Sequence, residues 1–131
     1  MIIDAHHHLW DPGVRRHAWL DALPSLGRPF DLDDFAPAAR ARGVTASVLV
    51  QVLPSAAETR EFLAVAGSGA LVAGVAGWAD LTAPDVADQI ARLRGLPGGP
   101  ACGTWSRTSR IRAGWTGRTC AAGCAPWLAP G

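Results

Sequence analysis

The amino-acid sequence predicts an α/β fold of three successive β/α units, followed by an irregular C-terminal tail. Three observations carry that expectation. Apolar, β-rich runs at residues 2–8, 44–52 and 71–81 alternate with stretches of helical period. Helix-length crossovers separate the runs, which implies a parallel sheet with right-handed connections. Beyond Gly98 the composition changes: residues 99–131 hold four arginines, no acid, all three cysteines and three of the six tryptophans.

The chain of 131 residues is about half apolar, enough for one domain with a modest core. No apolar run approaches the roughly 18 residues of a membrane span. No basic start leads into a signal-type core. No membrane partner is therefore expected, and the cytoplasm is the default location. Lysine is absent and all 12 basic residues are arginine, which fits a GC-rich coding bias better than a charged partner.

The first run, Ile2-Ile3-Asp4-Ala5-His6-His7-His8, is the stretch around which the rest is arranged. As a strand it sets Asp4, His6 and His8 on one face. Two imidazoles at i and i+2, at a strand end, can converge on one cation. Two plainer readings stand beside this one. The histidines could be an expression scar, although tags do not begin Met-Ile-Ile-Asp, or a half-buried, hydrogen-bonded pair.

Asp11-Pro12-Gly13 opens a long connection through Trp19, Pro24, Gly27 and Pro29, too rich in turn formers for regular structure. Residues 33–42 read as a first helix, with acids at its start and arginines at its end. Pro37 fits only in a first turn, and Gly43 supplies the stop. The run at 44–52 has the continuous hydrophobicity of a buried parallel strand. Ser55-Ala56-Ala57-Glu58 is a capping box for a second helix, whose apolar face is Phe62, Leu63, Val65 and Ala66. The third strand spans 71–81. A third helix starts near Pro84-Asp85, buries Val86, Ile90 and Leu93, and stops at Gly95. A small open doubly wound domain is the alternative architecture. No Gly-rich phosphate loop follows the first strand, which removes its nucleotide-binding version.

Asp4-Ala5-His6-His7-His8-Leu9-Trp10-Asp11 resembles the opening of the amidohydrolase superfamily, in its sugar-lactonase branch (fuconolactonase-like and rhamnonolactonase-like). In that superfamily the first barrel strand ends in His-x-His, and His6 and His8 take those places. The likeness continues through Trp19-Leu20, Arg28-Pro29-Phe30 and Gly43-Val44. It goes on through Leu49-Val50-Gln51 into Ser55 and Glu58-Thr59, then residues 74–81, reaching about Gly98.

The resemblance implies that residues 1–98 are the first three units of a (β/α)8 TIM barrel with its active site at the C-terminal face. It implies a divalent, zinc-like metal at His6 and His8, although metal use varies within this branch, and a small-molecule sugar-lactone substrate. Gln51 and Trp78, with Asp80 nearby, lie at strand ends facing the barrel mouth, where substrate contact competes with ordinary packing. No catalytic residue is assigned within this stretch, because the general base belongs to the last strand of such a barrel. A chain with only the first two ligands is expected to be inactive, and its unpaired sheet edges to favour aggregation.

The fourth strand of the family, with its Arg-His pair, is expected after Gly98-Gly99-Pro100, but residues 99–131 depart from the pattern. Cys120 and Cys124 are spaced C-x3-C, but with only Cys102 as a third thiol they make a poor closed zinc site. Four positive charges among tryptophans are too few for a nucleic-acid partner, and none is expected. A shifted reading frame accounts for more. Regrouping plausible GC-rich codons from Pro100/Ala101 permits Gly-(Leu/Val)-Arg-His-(Leu/Val)-Val-Gln-Asp-Glu-Pro, the family's fourth-strand sequence. The reading from another class is a small non-catalytic α/β interaction domain whose basic tail binds nucleic acid.

Overall fold

A computed structural model describes residues 1–69 and 71–97. The element order is β1 (Ile2–His7), α1 (Leu32–Ala41), β2 (Val44–Val50), α2 (Ala56–Gly67), β3 (Val72–Ala76) and α3 (Val86–Arg94). The three strands form one sheet in the order β1-β2-β3, and both pairings are parallel. Sequential order means that α1 and α2 each carry the chain to the adjacent strand, in the same direction. A doubly wound sheet would reverse its order.

Local chemistry explains where the helices begin. Asp31 caps α1, its carboxylate accepting from the amides of Asp33 and Asp34, while Asp34 reciprocates to the Asp31 amide. This cap starts the helix at Leu32, so Pro37 lies beyond the first turn rather than within it. The expected first-turn position is therefore corrected. Gly43, at φ 74°, ends α1 in the left-handed region that favours glycine. Ser55 caps α2 through the Glu58 amide.

The core lies between the sheet and its helices. Leu49, Leu63 and Val75 are fully buried at its centre, joined by Leu9, Phe62, Ala66, Val72 and Leu93. Burying each such side chain contributes about 1.5–3 kcal/mol. Along β2, Ser47 and Leu49 are buried while Val48 and Val50 are half-buried. The strand thus has one covered face and one more open, not the uniform burial its composition implied.

Other boundaries differ from the sequence reading. β3 ends at Ala76, since the main chain of Trp78 bonds to a helix side chain instead of a neighbouring strand. In α3 only Leu93 is buried, with Val86 and Ile90 half-buried. The connection after β1 holds two short 3-10 helices, Ala18–Ala22 and Pro24–Leu26, where none was expected. An aromatic cluster orders it: Trp10 pairs its main chain with Phe30, packs against its ring, and donates its indole N–H to the Leu26 carbonyl. The proposed boundary at 98/99, the cysteines and the arginine-rich tail lie outside the described residues. Among the described residues no helix is long and apolar enough to cross a membrane.

Candidate functional site

The three strands end side by side at one edge of the sheet. His7 pairs with Leu49, and Val50 with Ala76. His8, Gln51 and Gly77 are therefore the first residues beyond the three strands. The Gln51 amide donates to the Ala76 carbonyl at 2.8 Å and carries the sheet one bond further.

At this edge His6 and His8 meet. Their Nε2 atoms are 3.0 Å apart, with the rings at 77° to one another. His8 Nδ1 lies 2.9 Å from the Val50 carbonyl oxygen. A carbonyl only accepts, so Nδ1 carries the proton, and in the neutral ring Nε2 keeps its lone pair. The proton between the rings then sits on His6 Nε2, and a cation there would take its place as His6 passed to its other tautomer.

Asp4 does not simply share the ligand face as strict alternation required. The ladder slips between Asp4 and His7, and the Asp4 carboxylate turns onto the His6 amide at 3.0 Å. His7 points the other way. It is buried and stacks on Phe35 of α1, with ring centroids 4.0 Å apart and planes within 2°. Burial pushes its pKa below the ordinary histidine value, partly offset by the Asp4 charge and the Val48 backbone. It serves as a neutral packing ring.

Two neighbouring residues of α2 hold the other strand ends. Glu58, 2% exposed, accepts the amides of Val52 and Leu53 on one carboxylate oxygen, each at 2.9 Å. Only half of the expected capping box therefore forms, because the Glu58 carboxylate serves the β2–α2 connection instead of the Ser55 amide. Thr59, 1% exposed, accepts the Trp78 amide at 2.7 Å, and its hydroxyl lies 3.1 Å from the Trp78 carbonyl. Gln51 and Trp78 are both half-buried at this edge. The Trp78 indole N–H is buried without a hydrogen-bond partner among the described residues. Asp80 is engaged locally, accepting the Thr82 amide and hydroxyl, which hold its carboxyl below the usual range. Sequence reasoning missed Glu58 and Thr59 as rim residues. Their one signal was a carboxylate at the third helical position followed by a residue on the sheet side.

A cavity of about 220 Å³ opens between the β1–α1 connection and α2, lined in part by Trp10, Arg15, His17, Phe30 and Glu61. Its acids are already engaged. Glu61 pairs with Arg15 in a two-pronged ion pair, Asp11 accepts the Gly13 amide, Asp31 caps α1, and Glu58 holds its two amides.

The donor set at His6 and His8 fits a divalent cation in part. A tetrahedral zinc ion with Zn–N bonds of about 2.0–2.1 Å spaces its ligand nitrogens by about 3.3–3.4 Å, close to the separation here. Among the described residues, however, no group of three or more His, Cys, Asp or Glu comes together to hold a metal.

Comparison with known proteins finds relatives over part of the chain. The chain is 39% identical over 92 residues to an L-fucono-1,5-lactonase of Burkholderia ambifaria, covering 70% of this chain and 32% of the relative. It is 35% identical over 94 residues to an L-fucono-1,5-lactonase of Burkholderia multivorans, covering 71% and 32%. A crystal structure of a Burkholderia multivorans amidohydrolase with bound zinc superposes with a TM-score of 0.66 at 33% identity, covering 72% of this chain and 34% of that one. Another crystal structure of such an amidohydrolase, with bound HEPES, gives 0.65 at 34% identity, covering 72% and 33%. Over that part the chain is similar to the amidohydrolase superfamily, on its lactonase-like side. It spans about a third of the length of these curated relatives. No family model matches the chain.

Proposed function

We propose that residues 1–98 are the first three β/α units of a (β/α)8 barrel and carry the first-strand portion of a sugar-lactone hydrolase site. The observation that carries this reading is the convergence of His6 and His8 through Nε2, with His8 held by the Val50 carbonyl. The lactonase relatives and the zinc-bearing structural neighbour support it.

His6 and His8 would hold a divalent ion, which would supply Lewis acidity toward a lactone carbonyl. The chain's own residues prepare that place. Val50 fixes the His8 proton on Nδ1 and leaves Nε2 free to ligate. Gln51 and Trp78 border the substrate, and the buried indole N–H of Trp78 offers a donor suited to an oxygen-rich sugar acid. The general base and the Arg-His pair belong to the part of the barrel beyond residue 98. The 131-residue chain alone is therefore inactive, residues 99–131 being the product of a shifted frame. The partner is a small-molecule lactone in the cytoplasm, not a nucleic acid or a membrane.

Zinc titration by calorimetry tests the ligand pair. Weak one-site binding by the 131-residue chain should fall at least tenfold in His6→Ala and in His8→Ala. Equal binding by all three chains would refute the assignment. Resequencing the gene past the codon for Leu96 tests the rest. The expected result is a neighbouring frame running on through Arg-His into further β/α units, whose product hydrolyses a sugar lactone. A gene with no such continuation would overturn the frame reading.

A further inference from the structure

We infer that Glu58 and Thr59 are positioning residues: adjacent on the first turn of α2, they register the two strand ends that present Val50, Gln51 and Trp78, and through the Val50 carbonyl Glu58 sets the tautomer of His8. The use of that tautomer for ligation rests on His6 and His8 acting as ligands.

The main chain at the end of β2 is held at four successive residues, Val50 to Leu53. The Val50 carbonyl takes His8 Nδ1–H, and the Gln51 amide gives to Ala76. The amides of Val52 and Leu53 both give to Glu58. Burying a carboxylate is costly without compensating bonds. Among the described residues no arginine forms an ion pair with Glu58, and the nearby Arg15 is bonded to Glu61. What compensates Glu58 is the pair of amides and the helix N-terminus where it sits. A carboxylate kept buried on these terms has one conformation of residues 52–53 to match, and that conformation aims the Val50 carbonyl two residues upstream.

Thr59 does the same beyond β3. Its single hydroxyl meets both main-chain groups of Trp78. The approach is so close that a Cβ on Gly77 would stand 2.8 Å from Thr59 Oγ1. One helical turn therefore registers two adjacent strand ends, and a rotation of α2 would move Gln51 and Trp78 together.

The experiment reads tautomers in the ¹⁵N-labelled 131-residue chain, in metal-free buffer at pH 8, from long-range ¹H–¹⁵N spectra of the imidazoles. The native chain should show His8 as the single Nδ1–H form. In Glu58→Ala the shift separation between the two ring nitrogens should fall by half or more, as both tautomers become populated. Glu58→Gln, whose amide oxygen can take the same two N–H groups, should restore it. Leu93→Ala removes a buried core side chain away from the rim and should lower stability without changing His8. A folded Glu58→Ala chain with one tautomer overturns the inference, and so does a Leu93→Ala chain that loses the tautomer equally.

If Glu58→Ala does not fold, Glu58→Asp takes its place. A mixed tautomer in that folded chain supports the inference, whereas a single tautomer, or failure to fold again, overturns it. For Thr59, exchange of the Trp78 amide should rise at least tenfold in Thr59→Val and return in Thr59→Ser. Unchanged exchange in Thr59→Val would remove Thr59 from the pair. None of these measurements contains metal or lactone. Failure of zinc binding would refute the proposed function and leave this result standing, and the reverse holds equally.

Discussion

The contact between Gly77 and Thr59 yields a prediction whose size follows from the structure. A methyl group added at Gly77 would overlap Thr59 Cγ2, stand 2.8 Å from Oγ1 and 3.1 Å from Cβ. The cost is steric, because Gly77 is not among the glycines of positive φ. Overpacking of this kind costs about 1–3 kcal/mol. Moving Thr59 aside also breaks its 2.7 Å bond to the Trp78 amide, and an unsatisfied donor costs about 1–3 kcal/mol more. Gly77→Ala should therefore destabilise the chain by about 3 kcal/mol.

Thr59→Ala loses the same bond without the clash and should cost about 1–3 kcal/mol. In the double variant the new methyl group enters the space that the threonine vacated. Its total cost should stay near that of Thr59→Ala alone, short of the sum by about 3 kcal/mol, a coupling expected of residues in direct contact. Urea denaturation followed by far-UV circular dichroism measures all four chains, with the slopes compared before free energies are subtracted. Additivity within about 0.5 kcal/mol would refute the claim that Gly77 is glycine because Thr59 occupies its Cβ position.

The remaining predictions use the same assay unless stated. Asp31→Ala should cost about 1 kcal/mol through loss of the α1 cap, and no change would remove Asp31 as the signal that starts the helix. Leu49→Ala, at a fully buried position, should cost about 2–5 kcal/mol. Hydrogen bonds from Arg15 hold the Glu61 carboxyl below its ordinary value of 4.5. Its contribution is thus present above that pH and is lost as pH falls below it. With the Glu61 side chain 52% exposed the contribution is at most about 1 kcal/mol, so the gap between native and Glu61→Gln chains should narrow below pH 4.5. Ile3 is 56% exposed on an edge strand, and Ile3→Lys should raise the monomer fraction in size-exclusion chromatography.

The order of elements was legible because its signals are local: apolar runs, an acid-rich helix start, Ser55 before α2, Gly43 after α1. The histidine pair was legible as two imidazoles on one strand face. What could not be read depended on contacts between elements. Period-2 counting cannot foresee the slip that turns Asp4 onto the His6 amide. Gly77-Trp78 looks like strand, but its main chain is claimed by Thr59. The motif at Ser55 announces that a carboxylate will accept an amide, and only the fold decides that the amides belong to Val52 and Leu53.

These contacts define the piece of the fold that can give His8 a single tautomer. The imidazole is on the β1 side, but the acceptor that orders its protons is the carbonyl at the end of β2. That carbonyl is placed by the β2–α2 connection, which Glu58 holds from α2. A peptide of residues 1–10 contains all three histidines and none of this control. It should show His8 with the mixed tautomers of free imidazole, whereas a chain reaching through α2 and β3 should show one. The histidine pair is thus written in the first strand, but its proton arrangement is a property of neighbouring β/α units.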